Sequence, residues 1–306
     1  MPQNCPFCFS SNFTSSYLPG TFFNEKHFRY IRCTGCKLIY VDPFPVTDDF
    51  IKMYPPSYQS GIDKNILSEP DKKLAGLRFP YNKHFELIKK YSPGKKIIDY
   101  GCGTANFLIN AKYNGFECDG VEYDPRHVAL MQSEIQGSNF FLINDFLEKT
   151  DPAYDVIRLS NVLEHLTNPN EIIEKLIKRL NPDGILLIEG PVETNPSLAL
   201  RFRRLYFILS GLIRKTGSVT HPPTHIFFSN SHNQRSFFSR FSLEEIHFEL
   251  TECAWPFPEK RSEIHGLADF IKYFIAKLSM ALSKISFLKS GNTFIYVGRK
   301  KLNSKK

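Results

Sequence analysis

The sequence predicts an α/β fold, a mainly parallel sheet with helices on both faces, preceded by a small cysteine module. Three observations carry this. Four of the seven cysteines fall in two C-x-x-C pairs within the first 36 residues. From residue 96 onward, short apolar runs alternate with stretches of helical period, the pattern of a parallel sheet. Several of those runs end in an acid or a glycine turn. The 306 residues, 42% hydrophobic and 23% charged, can bury one large core with a small module beside it. We divide the chain into a ribbon at 1–45, a linker or lid at 46–80, and a main domain at 81–306. The main domain carries an inserted acceptor-side segment at 192–241 and a helical insertion at 265–289.

The first element is the cysteine module. Cys5 and Cys8 form one pair, Cys33 and Cys36 the other. Two residues between cysteines let both thiolates of a knuckle reach one ion, and two knuckles complete a tetrahedral four-sulfur site. Residues 27–41 read as strand, knuckle, strand, with Gly35 supporting the turn. This is the pattern of a zinc ribbon. A closed four-cysteine site leaves no open coordination position, so the expected Zn2+ is structural. A redox dithiol is the competing reading. Cys102, Cys118 and Cys253 lack such spacing and read as buried thiols.

Asp42-Pro43-Phe44-Pro45 and Tyr54-Pro55-Pro56 mark the linker, and a helix is expected over about 72–91. Lys96 to Asp99 is then an apolar strand running into Gly101-Cys102-Gly103, with a helical pattern behind it. Such a turn lets a ligand approach the backbone. A dinucleotide fingerprint would need a third glycine at position 106, where Asn106 stands, so no pyrophosphate is implied here. A second strand at 116–121 ends in Glu122-Tyr123-Asp124, and an acid there can hold ribose hydroxyls. Further strands are expected at 140–143, 154–160 and 185–189, with a helix at 170–180 between the last two.

This run resembles the class I S-adenosylmethionine-dependent methyltransferases. IIDYGCGTANFL is similar to their first motif, GVEYDP to the second, SNVLEHLTNP to the fourth-strand motif, and LNPDGILLIEGP to the passage into the fifth strand. The resemblance implies a Rossmann-like, mainly parallel seven-stranded sheet with S-adenosylmethionine as co-substrate. By it, Asp99, Gly101 and Gly103 line the methionine end. Glu122 binds the ribose with Tyr123 against the adenine, Asp145 reads the adenine amino group with Phe146 beside it, and Asn161 lies near the amino-acid portion. Ribbon and domain together are similar to methyltransferases of glycan and natural-product pathways, including the sugar C-methyltransferases. The implied acceptor is a small molecule, a nucleotide sugar or glycan precursor. The alternatives are a lipid-linked, membrane-held acceptor, and a non-catalytic interaction protein with a vestigial cofactor site.

Methyl transfer to oxygen or carbon requires removal of a proton, for which histidine is suited near neutral pH. His225, in HPPTHIFFS, is the first candidate and His165 the second. Ser242-Leu243-Glu244-Glu245 reads as a helix opening, a strand follows at 250–255, and 292–297 is expected as an antiparallel edge strand. Between them, Leu267, Phe270, Ile271, Phe274 and Leu278 begin an apolar stripe at helical spacing. It would pack on the domain or on a second copy, or touch a membrane surface. The net charge is +8, but Arg299, Lys300, Lys301, Lys305 and Lys306 account for five of the eight, so nucleic acid is not favoured. No charged segment followed by an apolar run opens the sequence, and none of its apolar runs reaches the length of a membrane span, which reads as cytoplasmic. Oligomeric state is left open.

Overall fold

The computed structural model describes residues 3–54, 81–92, 94–149, 151, 153–202, 204–205, 221–254, 257–258, 260–285 and 288–301. The expected helix segment at 72–80 lies outside these.

The main sheet has seven strands. In chain order they are β5 (Lys96–Tyr100), β6 (Glu117–Glu122), β7 (Phe140–Leu142), β8 (Tyr154–Ser160), β9 (Leu180–Pro191), β11 (Leu243–Thr251) and β12 (Thr293–Lys300). Their spatial order is β11-β12-β9-β8-β5-β6-β7. The five strands from β7 to β9 are parallel, while β12 runs antiparallel to both β9 and β11. This is the Rossmann-like α/β fold that the sequence predicts. The strand order reverses at β5, which lies between β6 and β8, so the crevice beyond its C-terminal end is the natural ligand site.

Alternation along the strands divides the core in two. Ile98, Ile157, Leu186, Ile188, Phe294 and Tyr296 point to one face. Ile97, Val156, Ile185, Leu187, Ile295 and Val297 point to the other. The second face is covered by α2 (Asn82–Tyr91), α3 (Asn106–Tyr113) and α4 (Pro125–Glu134), through residues such as Ile88, Leu108 and Met131. The first face takes α6 (Pro169–Arg179), α7 (Ser231–Phe238) and the N-terminal module.

That module is a five-stranded sheet built on β3 (Lys26–Cys33) and β4 (Ile39–Asp42). β1 (Phe13–Ser15) and β2 (Thr21–Phe23) both pair with β3. The fifth strand is β10 (Phe227–Phe228), from the acceptor-side segment, which pairs with β4 through Phe227↔Tyr40 and Phe228↔Ile39. The module is therefore welded to the domain rather than tethered to it. Phe7 stacks on Phe237 at 4.3 Å and meets Phe227 edge-on at 4.7 Å. Each such aromatic pair adds about 0.5–1.5 kcal/mol beyond burial. The linker contains a helix, α1 (Thr47–Met53), clamped to β3 by the ion pair of Lys26 with the buried Asp49 at 2.9 Å.

Four expectations are corrected. The segment from Ser242 opens no helix: Leu243–Thr251 is strand β11. Of the strand expected at 250–255, Leu250 and Thr251 are the end of that same β11. The last strand is not an edge, because β12 sits between β9 and β11. All four residues Phe294 to Val297 are buried, as an interior strand requires. Cys253 is exposed, whereas Cys102 and Cys118 are buried.

Candidate active site

The first element of the site is the turn after β5. Gly101 and Gly103 have φ of 78° and 52°, where side chains are disfavoured. A Cβ on Gly101 would lie 2.5 Å from Val162, in the loop after β8, so only glycine allows that approach. A Cβ on Gly103 would meet nothing within 4 Å, which leaves open space above the turn. Glu122 ends β6 beside it. Its Oε2 accepts from the Gly103 amide and its Oε1 from the Tyr123 amide, both at 2.8 Å. Each carboxylate oxygen keeps a further lone pair for a hydroxyl donor. Tyr123 is exposed, Asp145 lies exposed in α5 (Ile143–Leu147), and Asn161 is exposed with φ of 53°.

Two of the expected cofactor residues are placed differently from the rest. Asp99 is buried, and its Oδ1 accepts from the buried Arg158 at 2.7 Å. Burial pushes its carboxyl up from the usual range and Arg158 draws it part of the way back. Phe146 is fully buried in the core against Tyr100, Phe141 and Tyr154. Arg158 extends the network: its Nε donates to His84 Nδ1 at 3.1 Å, and His84 Nε2 lies 3.2 Å from Glu189, which also accepts from Ser160. The guanidinium lies 4.0 Å over the Phe107 ring. A charge in the middle of the apolar strand YDVIRLS is the signal that announces such a partner.

The second element lies on the same edge of the sheet, after β8 and β9. His165 and His225 bring their ring centroids within 4.9 Å, edge to face. The 3-10 turn Leu163–His165 carries Glu164 and His165. Donor atoms of Glu164, His165 and His225 lie within 4.8 Å of one another. Glu193, just past β9, holds His225 Nδ1 at 3.1 Å. The Thr224 carbonyl and the Tyr54 hydroxyl hold His165 Nδ1 at 2.7 and 3.1 Å. Burial pushes the Glu164 carboxyl up to about 7, while His225 opposes that rise. Burial lowers His165 to about 4, assisted by His225 and opposed by the Thr224 carbonyl. His165 is thus neutral at pH 7 and a weak base. With Nδ1 of His225 donating to Glu193, its Nε2 is the basic nitrogen. Glu164, Glu193, Tyr54 and Arg158 were not among the candidate site residues read from the sequence.

The third element is the cysteine cluster. The Sγ atoms of Cys5, Cys8, Cys33 and Cys36 all lie within 4.8 Å of one another. Both knuckles have the same backbone form. The Phe9 amide donates to the Cys5 carbonyl, and the Lys37 amide to the Cys33 carbonyl. Phe9 and Lys37, each one residue past its pair, have φ of 61° and 67°. The contact with Cys5 holds the Cys36 thiol down to about 5 and Cys5 well above its usual range. This donor set and backbone are compatible with a tetrahedral metal site.

The comparisons with known proteins bear on the main domain. A family model described as "Methyltransferase domain" matches residues 76–248. Among curated relatives, a ubiquinone biosynthesis O-methyltransferase of Rickettsia akari is 23% identical over 146 residues, 46% of this chain and 55% of that protein. A ribosomal protein L11 methyltransferase of Thermosipho africanus is 29% identical over 114 residues, 36% of this chain and 43% of that protein. The chain thus spans about half the length of the curated relatives it matches. Among solved structures, a SAM-dependent methyltransferase from Archaeoglobus fulgidus matches 79% of this chain and 100% of its own, at 16% identity and a TM-score of 0.48. With more than half its length matched by that family model, and with the glycine turn and the acid of β6 standing at the reversal of strand order, the chain belongs to the methyltransferase domain family.

Proposed function

We propose that this protein is an S-adenosylmethionine-dependent methyltransferase acting on a small-molecule acceptor, a nucleotide sugar or glycan precursor, in the cytoplasm. The observation that carries the reading is the adjacency of two devices on one sheet edge. The glycine turn with Glu122 suits a ribose-bearing ligand without phosphate. The loop that touches Gly101 through Val162 continues, three residues on, into His165. The cofactor would supply an activated methyl group for direct displacement. Glu122 would hold the ribose hydroxyls, Tyr123 would cover the adenine, Asp145 would read its amino group and Asn161 the amino-acid portion. Gly101 and Gly103 would admit the methionine end, and Asp99 would reach it only through its second carboxylate oxygen. His225, oriented by Glu193, would take the acceptor proton at Nε2, and His165 would position rather than abstract. The cysteine cluster would hold one structural Zn2+, fixing the ribbon and with it β10.

Replacing Glu122 by Ala should weaken S-adenosylmethionine binding at least tenfold, measured by calorimetric titration. Unchanged affinity would remove the ribose assignment. Methyl-labelled cofactor incubated with protein and host extract should place label in a small soluble product.

A second reading, a membrane-held acceptor, rests on α8 (Leu267–Ser283). This helix buries only Ala276 and Ser279 and exposes Leu267, Phe270, Ile271, Phe274 and Leu278. Among the described residues no helix is long and apolar enough to cross a membrane. Label appearing in the membrane fraction would favour this reading over the first.

A further inference from the structure

A cavity of about 130 Å³ lies between the ribbon and the acceptor-side segment, away from the glycine turn. Three cations line it: Arg32 and Lys37 from the ribbon, and Arg204 from the segment after β9. Tyr17, Thr194 and Asn230 add polar groups, and none of the described residues lining it is a carboxylate. Elsewhere on the same strand Arg29 is paired with Asp42 at 2.7 Å. Arg32, by contrast, makes no ion pair among the described residues. Arg204 is held with its guanidinium 3.8 Å over the Tyr17 ring, which leaves the edges of that group to donate. The Thr194 hydroxyl oxygen is buried without a hydrogen-bond partner. Asn230 caps the N-terminus of α7, so the partial positive end of that helix adds to the field. Three cations with no carboxylate among the described lining residues, beside an unsatisfied hydroxyl, form a receptor for a compact polyanion.

The position of the cavity gives the anion a purpose. Thr194 directly follows Glu193, which holds His225. Ile39, also in the lining, pairs with Phe228, whose ring lies 6.0 Å from His225. From His225 to Asn230 is at most about 17 Å of extended chain. One small molecule could seat a charged group in the cavity and present another atom to the imidazole.

We infer that this cavity binds the phosphate or diphosphate group of a phosphorylated acceptor, with the ribbon supplying half of the receptor. The inference rests on the proposed methyltransferase reading and adds the feature by which the acceptor is recognised. It also gives the fusion of ribbon and domain a role in substrate selection.

The test is calorimetric titration of the intact, metal-loaded protein with inorganic pyrophosphate and with uridine diphosphate. The variants are Arg32→Ala, Arg204→Ala and, as a control for general charge, Lys272→Ala on α8. S-adenosylmethionine affinity is measured on each. Both anions should bind the wild type. Each arginine variant should lose at least tenfold for both anions with cofactor affinity unchanged, and Lys272→Ala should leave all three affinities alone. Pyrophosphate binding that ignores the arginines overturns the inference, as does an equal loss in Lys272→Ala. Binding of pyrophosphate without the nucleoside diphosphate also overturns it, because the cavity would then admit a free anion and not an acceptor. Failure of the methyltransferase reading would register separately, as absence of cofactor binding in the wild type.

Discussion

At the scale of single residues, the chemistry is set by burial. Glu164 has little water around it, so its carboxyl retains a proton to about pH 7, above the ordinary value of 4.5. Between those two values the folded chain keeps a proton that the unfolded chain has lost, so stability falls as pH rises through the window. Glu164→Gln cannot titrate. Its stability relative to wild type should improve by about 2–3 kcal/mol between pH 5 and pH 8. Urea unfolding at both pH values checks this, and an equal difference at each would refute it. His165, lowered to about 4, works in the opposite direction between pH 4 and 6.5, so the comparison between variants is needed to isolate the carboxyl. Arg158 is the second case. Removing its charge in Arg158→Met strands the buried Asp99 and should cost about 3–5 kcal/mol in urea unfolding. Adding Asp99→Asn should restore part of that. These residues also mark where sequence reading stops. Gly101, Gly103 and Glu122 are legible because their roles are local to one turn. Glu193 and Tyr54 are not, because each reaches a histidine across the fold, 32 and 111 positions away.

At the scale of elements, the parallel strands β5 to β9 were legible from apolar runs between turns. β11 was hidden for a physical reason. Its register shifts between Glu245 and His247, and that irregularity breaks the two-residue alternation that identifies a strand. What remained was Ser-Leu-Glu-Glu, which imitates a helix cap. The interior position of β12 had a signal, the unbroken apolar run Phe294 to Val297, which suits a strand covered on both faces. β10 had none, since its two residues acquire meaning only by pairing with β4. That pairing makes a prediction. If the cysteines hold zinc, a chelator should loosen β4 and β10 together and displace His225. Methyl transfer should therefore fall at chelator levels that leave cofactor binding intact. The two readouts, taken in parallel across a chelator titration, check it, and simultaneous loss would mean that the ribbon supports the cofactor turn as well.

At the scale of the whole molecule, the ribbon and the main sheet share one hydrophobic cluster, from Cys5 and Phe7 through Tyr100 to Tyr296. The exception is α8, whose apolar side chains face outward. If that helix serves a membrane-held acceptor, Phe274→Glu should reduce co-sedimentation with anionic vesicles severalfold and leave cofactor affinity unchanged. Equal sedimentation of variant and wild type would assign the stripe to another partner. The domain class was legible at this scale because alternating elements have few solutions. The joining of ribbon to domain was not, since it depends on contacts such as Phe7 with Phe237, separated by most of the chain.

That separation has a consequence for biosynthesis. The cysteine module is translated before the main domain, yet the strand that completes its sheet begins at Phe227. At ribosomal rates of about 5–20 residues per second, β4 waits roughly 10–40 s with an open edge. An unpaired edge is a template for pairing with a neighbouring chain. A nascent chain stalled before Phe227 should therefore be the species most in need of a chaperone, even when its cysteines are already filled with metal.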